Sequence, residues 1–60
     1  MMNAEELDET YSMLSEAIGR VGPGRAPLFL ATLSLALLAR QPNSEDALYL
    51  VAQAERLALT

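Results

Sequence analysis

The stretch LFLATLSLALLA, from Leu28 to Ala39, decides the fold of this 60-residue chain. It carries no charge, and its content of Leu and Ala favours a helix over a strand. At about 100° per residue, its large side chains form two stripes on opposite sides of that helix. The first stripe contains Phe29, Leu30, Leu33 and Leu37, and the second contains Leu28, Leu35 and Leu38. A helix that is apolar on opposite sides must be enclosed by protein or lie in lipid.

The length of the uncharged run argues against lipid. The run extends at most from Ala26 to Ala39, between Arg25 and Arg40, whereas a membrane-spanning helix needs about 20 apolar residues. A secretory signal would place a basic segment before the apolar one, but the preceding segment here is acidic. The sequence therefore predicts a buried helix in a soluble protein with no membrane partner, and the cytoplasm is the expected location.

Two amphipathic segments flank the central stretch. Asn3 followed by Glu6 has the pattern of a capping box, and the apolar residues after it repeat at 4-3-4-3 spacing: Leu7, Tyr11, Leu14, Ile18 and Val21. Near the other end, Asn43 or Ser44 can cap a third helix whose apolar face is rich in Ala. The sequence predicts an all-α three-helix bundle with helices over residues 4–20, 26–40 and 44–59.

The first connection, GRVGPGRAP over residues 19–27, carries specific turn chemistry. Either Gly19 or Gly22 can supply the left-handed residue that ends a helix. Pro23 and Gly24 fit the centre of a type II turn, and Pro27 fits the first turn of the next helix. Helices joined by such a short connection are usually antiparallel neighbours.

The small size of the chain favours self-association. It has no Cys for disulfides, and 52% of its residues are hydrophobic, so oligomerisation is the remaining way to stabilise so small a fold. Two short helices can cover one stripe of the central helix, and a twofold homodimer through that helix would cover the other. The alternative is a self-contained bundle whose second stripe is half covered. The expected interface residues are Leu28, Phe29, Leu33, Leu35, Leu37, Leu38 and Tyr49.

The residue inventory speaks against catalysis and against several partners. The chain has no His or Cys, and all four of its bases are Arg, so no metal, cofactor or catalytic residue is expected, and the protein is not expected to be an enzyme. A net charge of −4 disfavours nucleic acid. Two minor alternatives are a cation on the acids of the first turns and an anion at the Gly19–Arg25 loop.

These features predict a small interaction module or accessory subunit, which binds itself or a larger protein subunit through its apolar helix faces. The alternative is a carrier of a small ligand, with an apolar pocket between helices beside Phe29 and Leu33.

The order of features is similar to that of a family of short, uncharacterised bacterial proteins. The matching residues are Leu7, Tyr11 and Leu14, then 33–39 and 48–54. The resemblance implies an all-helical protein with no assigned activity, and some members of that family are encoded near flavin-dependent aromatic hydroxylases. The family has a polar Asn-His element after its central helix, where this chain has Arg40, Gln41 and Pro42, and it offers no catalytic residue to transfer.

Overall fold

The structure, a computed structural model, describes all 60 residues and contains three helices and no strands. α1 spans Ala4–Val21, α2 spans Ala26–Leu38 and α3 spans Ser44–Ala58. The predicted all-α class and the number of helices are confirmed. None of the three helices is both long enough and apolar enough to cross a membrane.

α1 begins at the predicted capping box. The Glu6 N–H donates to Asn3 Oδ1 at 2.8 Å, and the Asn3 N–H donates to Glu6 Oε1 at 3.1 Å. Of the two residues expected to cap α3, Asn43 is the cap, and its Oδ1 accepts from the Asp46 N–H at 2.8 Å. Both caps satisfy backbone donors that the first turn leaves without a partner in the helix.

The connection between α1 and α2 differs in detail from the prediction. Gly22 ends α1 with φ 82° and ψ 164°, and its N–H donates to Ile18 O at 3.1 Å. The Arg25 N–H closes a turn onto Gly22 O at 3.2 Å, but Gly22 is the only residue with positive φ. A type II turn needs positive φ at Gly24, so that prediction is wrong. Gly24 instead has a negative φ and leads directly into the first turn of α2.

α2 ends two residues before the predicted boundary at residue 40. The N–H groups of Arg40 and Gln41 donate three residues back, to Leu37 O and Leu38 O at 3.1 and 3.0 Å, which is the tighter spacing of a 3₁₀ turn. Pro42 accounts for this end, because a proline disfavours helical geometry at the residue before it.

The three helices leave most of their surface open. No residue is fully buried, and the chain exposes 5464 Å², compared with about 3,800 Å² expected for a folded monomer of this mass. The radius of gyration is 13.0 Å, against about 10 Å for a compact domain of this length. Cα atoms within 8 Å of one another are always fewer than twelve residues apart in sequence. The helices therefore meet only beside their connections.

Candidate interaction surfaces of the central helix

The first surface is a groove of about 700 Å³ between α1 and α2, called here the α1–α2 groove. Nine of its eleven lining residues are hydrophobic, and Thr10 and Arg20 are the two polar ones. α1 contributes one wall, which includes Leu7, Tyr11 and Leu14 of its 4-3-4-3 stripe. α2 contributes Phe29, Leu33 and Leu37. Part of the apolar stripe of α1 and part of the first stripe of α2 therefore face each other without closing together.

The second surface is a smaller groove of about 350 Å³ between α2 and α3, called here the α2–α3 groove. α3 lines it with Leu50, Val51 and Ala54 from its Ala-rich face. α2 lines it with Ser34, Leu37 and Leu38, and Gln41 follows after the end of that helix. Leu37 lies between the two grooves and lines both of them.

The third surface is a row on α2 that lines neither groove, called here the free stripe; its members are Leu28, Ala31, Thr32 and Leu35. Its members recur every three or four residues, so they lie on one side of the helix. Leu28 and Leu35 are each 69% exposed. This row has no polar atom except the Thr32 hydroxyl, and nothing in the single chain covers it.

The structure places six of the seven predicted interface residues on these three surfaces and leaves Tyr49 outside them. Phe29 and Leu33 are half-buried in the α1–α2 groove, and Leu38 is half-buried in the α2–α3 groove. Leu28 and Leu35 remain together on the free stripe. Tyr49 is exposed on α3 and lines neither groove. The predicted second stripe of α2 is therefore split, because α3 approaches α2 from the side of Leu38.

Among the residues of the α1–α2 groove, Met2, Met13 and Arg20 lie outside the main stripe of α1. Met13 and Arg20 line the α1–α2 groove, and with Glu9 and Glu16 they follow a 4-3-4 spacing beside the main stripe of α1. Met2 precedes the helix and lies against it, with its Sδ 3.9 Å from Thr10 Oγ1. Helical periodicity could have placed Met13 and Arg20, but no periodic pattern reaches Met2.

The polar side chains are satisfied locally rather than gathered into a site. Ser34 Oγ donates to Leu30 O at 2.7 Å, and Thr10 Oγ1 donates to Leu7 O at 2.9 Å. No three acidic side chains lie close enough together to hold a metal ion. No buried polar side-chain atom lacks a hydrogen-bond partner. The surfaces that this chain offers are apolar grooves and stripes, which suit packing against another protein surface.

Comparisons with protein-family models, with curated proteins and with solved structures give no match for this chain. The resemblance to the short bacterial family therefore stays a prediction.

Proposed function

We propose that this chain is a small, non-enzymatic interaction module that forms a homodimer through α2 and acts as an accessory subunit. The observation that supports this proposal is the exposed area. The chain exposes about 1,600 Å² more than a folded monomer of its mass, which is twice the roughly 800 Å² per partner of a standard interface.

The free stripe is the contact proposed for the twofold axis. If two copies of α2 cross antiparallel near Ala31 and Thr32, Leu28 of one protomer packs against Leu35 of its partner. This contact is self-complementary, as a twofold interface requires. The small side chains at the crossing let the two helices approach closely, while the leucines fill the space on either side.

The open shape of the grooves favours a protein partner over a small ligand. Small-molecule sites bury most of their ligand surface, whereas no residue lining either groove is fully buried. Phe29 and Leu33 line an open groove with two helical walls and not a closed pocket. A ligand carrier would need a third wall, which the single chain does not supply.

Sedimentation equilibrium tests the homodimer directly. The native chain is expected to sediment as a species of twice its 6.5 kDa mass at micromolar concentration. Leu35→Glu is expected to weaken the dimer by about 3 kcal/mol or more, because the contact occurs twice and each buried Leu contributes about 1.5–3 kcal/mol. A native chain that sediments as a folded monomer would refute the proposal.

Leu48→Glu is the matched control for Leu35→Glu. Leu48 is 67% exposed, nearly the same as Leu35, and it lies on α3 outside the α2–α3 groove. The same substitution there introduces the same charge without touching the free stripe. The Leu48→Glu variant is therefore expected to remain a dimer.

A further inference from the structure

We draw no further inference here: the strongest candidate, the apolar α1–α2 groove with Arg20 as the one charged side chain in its lining, carries nothing because nothing in the structure shows what covers it.

Discussion

α1 and α2 differ in what holds them as helices. α1 has a reciprocal capping box between Asn3 and Glu6, acids in its first turn and Arg20 in its last turn. α2 begins at Arg25 with no side-chain cap, and it has neither an acid in its first turn nor a base in its last. Caps and charges that complement the helix dipole stabilise α1 within one chain. α2 depends on apolar contacts instead.

The cover that α2 receives in one chain is incomplete on every side. Its free stripe touches neither neighbour, and the two grooves beside it are open. A helix of 13 residues is marginal in water without packing, since isolated helices shorter than about 12–15 residues rarely persist. The comparison teaches that local chemistry specifies α1, whereas contacts within one chain leave α2 open, and we propose that a partner stabilises it. Folding and association should therefore be coupled.

Dilution of the native chain is the strongest test of the difference between α1 and α2, and it is expected to give the largest effect. Helix content measured by circular dichroism is expected to fall as the dimer dissociates, with α2 losing more structure than α1. Each tenfold increase in concentration should add about 1.4 kcal/mol to the stability of the dimer and raise the midpoint of thermal unfolding by several degrees. The Leu35→Glu variant is the control and should show lower helix content than the native chain at every concentration. A midpoint that does not change with concentration would contradict the coupling.

The same contrast explains how much of the fold could be predicted from the sequence. The start of α1 at its capping box and the cap of α3 by Asn43 were predictable because they depend on residues three apart. The end of α2 was placed two residues late, at residue 40, because the tightened turn before Pro42 was not anticipated. The turn between α1 and α2 was assigned to type II, since Pro23 and Gly24 allow it but do not require it.

The sequence predicted which residues of α2 are apolar. It did not predict which of them face α1, which face α3 and which stay exposed. Periodicity identified two apolar stripes on this helix, but in the structure Leu30 of the first stripe lines neither groove and the second stripe is split. Periodicity could not show that α3 would take Leu38 and leave Leu28 with Leu35, because that depends on the direction in which the chain leaves the second connection. The position of Arg20 beside the groove was also missed. Arg20 lies next to the main apolar stripe of α1 and does not belong to it.

Replacing either of two glycines near the end of α1 by Ala is expected to change the stability of the chain, in opposite directions. Gly22 has φ 82° and ψ 164°, a region almost restricted to glycine, so Gly22→Ala is expected to destabilise the chain by about 1–3 kcal/mol. Gly19 lies inside α1, and an added Cβ would meet nothing within 4 Å. Gly19→Ala is therefore expected to stabilise it by about 0.5–1 kcal/mol.

Denaturant unfolding at one fixed protein concentration measures both glycine variants. Holding the concentration constant is necessary because the stability of a dimer varies with it. Opposite signs for the two variants would support the assignment of Gly22, and not Gly19, as the residue that ends α1. Destabilisation by Gly19→Ala would instead place the end of the helix one turn earlier.

An effect nearly as small as that of Gly19→Ala is expected from the cap of α1. Asn3→Ala removes the acceptor of the Glu6 N–H and is expected to lower stability by about 1 kcal/mol. Asn3→Asp is the matched control, since it keeps an acceptor and adds a charge that the helix N-terminus favours. Denaturant unfolding should rank the native chain and Asn3→Asp above Asn3→Ala.

Making the Asn3→Ala substitution in the Leu35→Glu variant shows whether α1 is stabilised within a single protomer. In a Leu35→Glu chain, Asn3→Ala should still reduce helix content, because the cap acts within a single protomer and does not need the dimer. The loss caused by Leu35→Glu alone should by contrast lessen as protein concentration rises, because mass action restores the dimer. If the cap had no effect once the dimer was broken, α1 would depend on association as much as α2, and the contrast between the two helices would be wrong.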